Sequence, residues 1–220
     1  MTKLRAIELT CPICEGDFPS EAVVATNALG GKRTDFHERA AGVQPLPYLV
    51  HTCDRCGYTG AERDFTEAAE VPAALRERVW SELAPAFARA RATRPAGSEK
   101  YEAAARVAEW SGRGAREVAE LLLRAAWCCV DEEDVEAERF FRRQAARAFE
   151  SALGAWDDVT THERAVVTYL VGELWRRVGD VARARAWFDR VPDAVVDSAT
   201  QRWVIAAARQ QRDAPREWFG

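Results

Sequence analysis

The stretch Gly172-Glu173-Leu174-Trp175, followed by Gly179-Asp180, Ala184 and Phe188, decides how this chain is read. Small residues at 172 and 184 stand on either side of a Gly-Asp turn, with large aromatics at 175 and 188. That is the pattern of a helical hairpin whose helices approach at the small residues while the aromatics fill the space between them. One hairpin cannot cover its own apolar face, so further units are required. Trp110, Gly114, Ala119 and Leu123 each lie 65 residues before Trp175, Gly179, Ala184 and Phe188. That interval is close to two periods of about 34 residues, which leaves room for a degenerate unit between them.

These spacings match the tetratricopeptide (TPR) consensus and predict a mainly α fold: about three hairpins stacked as a short TPR-like solenoid. Working outward, helical runs are expected at about 115–130, 134–153, 161–178, 181–190 and 199–212. Upstream, Pro72 stands at a first helical position, and Leu75, Val79, Leu83 and Phe87 are spaced four apart along one face. Pro85 should kink that helix, and Ser98 should cap the next, which carries Tyr101, Ala104, Ala105 and Ala108. Thr160 with Glu163 and Ser198 with Gln201 fit the capping-box pattern, and Asp131 to Glu138 read as a helix start with solvated acids. Trp80, Trp110, Trp127, Trp175, Trp187 and Trp203 fall at helical spacing and are expected in the core. Trp218 and Phe219 sit in a short tail after Pro215 that either docks on the helices or reaches a partner, docking being favoured because exposed aromatic pairs are costly in water.

Residues 1–70 have another character. Short apolar segments at Leu4 to Leu9, Ala22 to Ala25 and Tyr48 to His51 alternate with Gly, Pro, Asp and Asn, as in short strands around turns. Residues 27–46 form a Gly-containing excursion to which no regular structure can be assigned, either an ordered lid or a mobile loop. The chain therefore reads as two parts, a zinc-ribbon-like domain at 1–70 and a helical repeat domain at 71–220.

The chemistry is concentrated in Cys11-Pro12-Ile13-Cys14 and Cys53-Asp54-Arg55-Cys56, the second followed by Gly57. A two-residue gap folds both sulfurs toward one side of a tight turn, Gly57 supplies the left-handed conformation such turns use, and two knuckles close a four-sulfur shell suited to Zn²⁺. Cys11, Cys14, Cys53 and Cys56 are thus the expected metal ligands. With no open coordination position the site is expected to be structural and not hydrolytic. His37 and His51 are near in sequence, but the shell is already complete. Cys128 and Cys129, in Ala125-Ala126-Trp127-Cys128-Cys129, read as buried small hydrophobes. Gly30-Gly31-Lys32 is too short for a phosphate loop.

Composition limits the function. The 48% hydrophobic and 30% charged content suits a packed core and argues against a disordered chain. Residues 1–70 hold 7 Lys or Arg against 11 Asp or Glu, so the cysteine half lacks the basic footprint of a phosphate-binding surface. Nucleic acid is disfavoured as a partner; Arg33, Arg39, Arg55 and Arg63 are the obvious equipment for it. The start carries no secretory-type apolar run and no window approaches a membrane span, from which a soluble cytoplasmic protein is expected.

Taken together, the pieces resemble DUF2225, an uncharacterised bacterial family in which a zinc-ribbon-like segment precedes helical repeats. The resemblance rests on Cys11-Pro12-Ile13-Cys14 with Phe18, Asp35-Phe36, Tyr48 before Cys53-Asp54-Arg55-Cys56-Gly57-Tyr58, and Asp64-Phe65. It continues through Leu123 to Trp127, Tyr169 to Leu174, Arg176-Arg177-Val178-Gly179 and Trp187-Phe188. Asp54 stands where the family pattern generally has Pro. The resemblance implies an architecture and no catalytic residues, substrate or partner. The expected function is a non-catalytic protein-interaction module with a protein partner. The alternatives are a nucleic-acid-associated adaptor, and a small-ligand sensor or enzyme with its site between ribbon and helices.

Overall fold

A computed structural model describes residues 1–66, 70–89, 95–155 and 158–219. The chain is mainly helical, with small antiparallel strand pairs near its start. β1 (Lys3–Thr10) pairs with β2 (Asp17–Ala25), Leu9 facing Phe18, and period-two alternation buries Leu9, Phe18 and Ala22. β3 (His51–Thr52) pairs with β4 (Thr59–Gly60). Each cysteine pair occupies the turn joining two paired strands. Of the expected strand at Tyr48 to His51 only His51 is in a strand; Tyr48 ends a 3₁₀ turn, Leu46–Tyr48, because Pro45 and Pro47 withdraw ladder donors.

After the short α1 (Arg63–Thr66), α2 (Ala73–Arg78) runs through one π-helical turn (Val79–Leu83) into α3 (Ala84–Arg89). Pro85 explains that turn. It cannot donate to the carbonyl of Ser81 and its ring would crowd that oxygen, and the widened turn, in which Ala84 N–H reaches back to Val79 O, accommodates it.

The remaining helices are α4 (Gly97–Trp110), α5 (Ala115–Glu132), α6 (Val135–Gly154), α7 (Arg164–Arg177), α8 (Val181–Arg190) and α9 (Arg202–Asp213). Successive helices pack on one another, and the α4–α5, α5–α6 and α7–α8 connections are short. Asp134 and Asp180 cap α6 and α8, each accepting an N–H from three residues on, and Gly179 takes φ 89° in the α7–α8 turn. A methyl group added at Gly172 would lie 2.7 Å from the Phe188 ring, so the small residue does let α7 approach α8.

Several expectations need correction. The capping boxes do not form. α7 starts only at Arg164, with Thr160 donating to a Glu163 that Arg116 already holds, and Gln201 turns back to accept from Val196 and Asp197. Ser98 lies inside α4 and binds Glu132, while Glu99 accepts the N–H of Ala96. Asp131 belongs to the end of α5 and pairs with Arg39, and the next helix begins at Val135 with Asp134 as its cap. Trp175 is buried, but Trp80 and Trp203 are 44% and 46% exposed, because Val79 and Val204 take the inward positions beside them.

Three buried clusters hold the chain together. One joins the cysteine knuckles, Phe18 and Phe65 to Leu75, Val79, Leu83 and Val107. A second joins Leu46 and Val50 to α4, α5 and Phe141. The third fills the space between α5 and α9. Among the described residues no helix is long and apolar enough to cross a membrane.

Candidate metal centre and adjoining surfaces

The two knuckles share one backbone design. Cys11 N–H donates to Gly16 O and Glu15 N–H to Cys11 O; Cys53 N–H donates to Tyr58 O and Gly57 N–H to Cys53 O, all at 2.8 to 3.0 Å. The fifth residue of each loop is left-handed, Gly57 at φ 75° as its lack of a side chain permits, and Glu15 at φ 57°. Glutamate carries no sequence signal for that conformation, so the first knuckle's strained position could not be read. Gly57 is needed for a second reason, since an added Cβ would meet the Phe87 ring at 2.5 Å.

These loops bring the Sγ atoms of Cys11, Cys14, Cys53 and Cys56 within 4.8 Å of one another. Cys11 to Cys56 and Cys14 to Cys53 are each 3.6 Å. Metal–sulfur bonds of about 2.3 Å place the corners of a tetrahedron about 3.8 Å apart, so the four cysteines are placed to hold one metal ion. Cys11, Cys53 and Cys56 are fully buried and Cys14 half-buried. With protons in place of a cation, the interaction between Cys11 and Cys53 raises the Cys11 thiol and lowers the Cys53 thiol. Crowded sulfurs cannot ionise together; a cation removes that conflict and leaves all four as thiolates. Arg76 of α2 donates to the carbonyls of Ile13 and Pro12, setting a positive charge beside the shell.

Neither histidine joins the sulfurs. His51 Nδ1 lies 2.8 Å from Ser20 Oγ, His37 stacks on Trp127 at 5.2 Å, and burial pulls both down to about 4. Cys128 and Cys129 are buried as expected, burial pushing Cys129 up to about 12.

The 27–46 excursion is docked and not free. Thr34, Asp35 and His37 are 2%, 0% and 1% exposed. Asp35 Oδ2 accepts from Arg142 at 2.6 Å and from the Trp127 indole at 3.0 Å. Burial alone would raise the Asp35 pKa; the charges of Arg142 and Arg177 outweigh it and hold the carboxyl well below its usual range. Thr34 donates to the buried Glu173, and Tyr169 donates to the Thr34 carbonyl. Sequence reasoning missed this cluster except as residues carrying the family resemblance. Arg33 and Arg39, considered for nucleic acid, pair with Glu217 and Asp131.

Two concavities adjoin. One of about 380 Å³ lies between α5 and α7, floored by Leu123, Trp127, Phe149, Val167 and Leu170 and walled by Phe36. The other, about 490 Å³, opens where β4 and α1 face α4 and α5; its Arg113 pairs with Asp64 and Glu117, and its Arg116 with Glu120 and Glu163.

No curated protein and no solved structure matches the chain. A family model described as an uncharacterized protein conserved in bacteria (DUF2225) matches residues 4–214, a span that includes both knuckles, the docked excursion and α1 to α9, and the chain belongs to that family.

Proposed function

We propose that the chain is a non-catalytic, cytoplasmic protein-interaction module in which a structural zinc ribbon supports a TPR-like helical surface. The choice of zinc rests on four cysteine sulfurs within 4.8 Å of one another, a set that as thiolates would fill a tetrahedral shell and leave no position for substrate. The TPR-like reading is supported by the Gly172–Phe188 approach and by short connections between successive packed helices. The observation that carries the interaction role is the trough between α5 and α7, whose floor is apolar and aromatic while its rim holds Arg116, Glu120, Arg124, His162 and Glu163. An apolar floor with a polar rim suits an inserted side chain of a protein segment.

Selection of a displayed peptide library against the wild-type chain, counter-screened on a folded Leu170→Arg variant, tests this. Peptides losing at least about tenfold in affinity on the variant are expected. A library yielding only variant-insensitive binders counts against the trough.

The larger opening favours a second reading, a small-ligand site between ribbon and helices. Its polar side chains are mostly committed to one another, which is why it ranks second. Thermal stabilisation by a small-molecule panel, abolished by Arg124→Ala and indifferent to Leu170→Arg, would reverse the order.

A further inference from the structure

The segment Ala214 to Phe219 lies on the excursion as an extended peptide lies in a recognition cleft. Its backbone forms an antiparallel bridge with the excursion: Thr34 N–H donates to Glu217 O at 3.1 Å, Phe219 N–H donates to Lys32 O at 3.0 Å, and Arg33 opposes Trp218 between them. Each side chain then meets a matching surface. The Glu217 carboxylate faces three guanidinium groups, Arg33 at 3.2 Å, Arg176 at 3.2 Å and Arg177 at 2.7 Å. The Trp218 ring covers Gly31, where an added Cβ would come within 3.3 Å, and lies 5.8 Å from the Arg33 guanidinium. Phe219 stacks on Phe36 at 5.8 Å and 15°.

This differs from a segment folded away for packing. Glu217 is 54% exposed and Trp218 41%, so little area is hidden and the hold comes from main-chain pairing, a three-arginine socket and one aromatic stack. Those are the elements by which an exposed edge recognises a strand, with the backbone supplying affinity and alternate side chains specificity. The receiving side is built independently of its occupant. Arg177 is anchored by Glu173, and Phe36 is held in a left-handed conformation, φ 70°, against Tyr169 and Trp203. Backbone strain of that kind persists only where surrounding contacts enforce it and is common at ligand clamps.

We propose that the face made by Gly31 to Phe36 and the Arg176–Arg177 end of α7 is a recognition site for an extended protein segment bearing a carboxylate followed by two aromatics. Residues 214–219 are its resident occupant, and a competing segment of the same chemistry displaces them. The proposal does not depend on the α5–α7 trough, although Phe36 also walls that trough, so an exchange of occupant is felt there.

The test uses the full chain and a synthetic peptide of residues 212–219. A tether holds its occupant at an effective concentration of about millimolar, so the wild type should bind the peptide weakly. Glu217→Ala/Phe219→Ala in the chain releases the resident segment and should tighten peptide binding at least about tenfold. Glu217→Ala in the peptide, or Phe36→Ala added to the released chain, should then undo that gain. Equal affinity for both chains, or no binding to a released chain whose circular dichroism and melting match the wild type, overturns the proposal. Should the released chain fail to fold, the wild type is photo-crosslinked with millimolar peptide carrying a benzophenone at the Trp218 position. Crosslinks within residues 31–36 support the site; scattered or absent crosslinks overturn it.

Discussion

Arg142 of α6 and Asp35 of the excursion meet at 2.6 Å with neither side chain exposed, across 107 residues of chain. Glu138 supports the guanidinium at 2.8 Å, and the Trp127 indole N–H supports the carboxylate. Two charges taken from water repay their desolvation only when each has partners of this kind, and breaking such a pair leaves the survivor buried and uncompensated. The pair is therefore one of the contacts that hold the excursion docked, beside those of Thr34 with Glu173 and Arg39 with Asp131.

Arg142→Ala or Asp35→Ala should each cost about 3–5 kcal/mol of stability, read from denaturant unfolding. The apolar double variant Asp35→Leu/Arg142→Met should cost much less than the two single losses together. Simple additivity would mean that the two side chains act independently, contrary to their geometry.

Mild acid should destabilise the fold through histidine. His37 and His51 are buried and drawn down to about 4, whereas in the unfolded chain a histidine titrates near about 6.5. Above that pH both states are neutral and the shift contributes nothing. As pH falls below it, the unfolded chain takes up protons first, so stability drops by up to about 1.4 kcal/mol per pH unit for each histidine until the folded state also protonates near pH 4. His37→Gln and His51→Gln should flatten that slope between pH 6.5 and 4 in urea titrations. An unchanged slope in the double variant would place the acid sensitivity elsewhere.

What was legible in the sequence was whatever carries a local signal. Gly179-Asp180 punctuates α7 and α8, the apolar spacing of α5 to α9 marks their buried faces, and two Cys-x-x-Cys pairs announce a metal shell. The excursion was illegible because what buries Asp35 and Thr34 is pairing with Arg142 and Glu173, two helical charges whose burial no local spacing signals. Trp80 and Trp203 were misplaced for the opposite reason, since helical spacing does not choose between two adjacent apolar residues, and the shorter Val79 and Val204 took the core.

The knuckles make opposite predictions at equivalent positions. Glu15 pays for a left-handed φ of 57° that glycine would adopt freely, so Glu15→Gly should be neutral or stabilising by up to about 1 kcal/mol. Gly57→Ala adds both backbone strain and a Cβ at 2.5 Å from the Phe87 ring, and should cost about 2 kcal/mol or more. Melting temperatures of the metal-loaded variants decide it; equal effects at the two sites would refute the shared backbone design.

Metal removal should act well beyond the two cysteine loops. The buried cluster around the sulfurs includes Leu75, Val79 and Leu83, Phe87 lies over Gly57, and Arg76 holds carbonyls inside the first knuckle. Without a cation the sulfurs revert to a mixed protonated set, and strand pairs this small have little other core, so their folding should be coupled to the metal. The wild type should carry about one metal ion per chain, and Cys53→Ser should carry about a tenth of that or less, as expected when a fourth thiolate completes the shell. In hydrogen exchange the variant should lose protection at 3–25, 51–60 and 73–89, while α6 and α7, whose buried cluster contains no cysteine ligand, keep theirs. Loss confined to 3–25 and 51–60 would show that α2 and α3 are held by α4 alone, and that the metal does not position the helices.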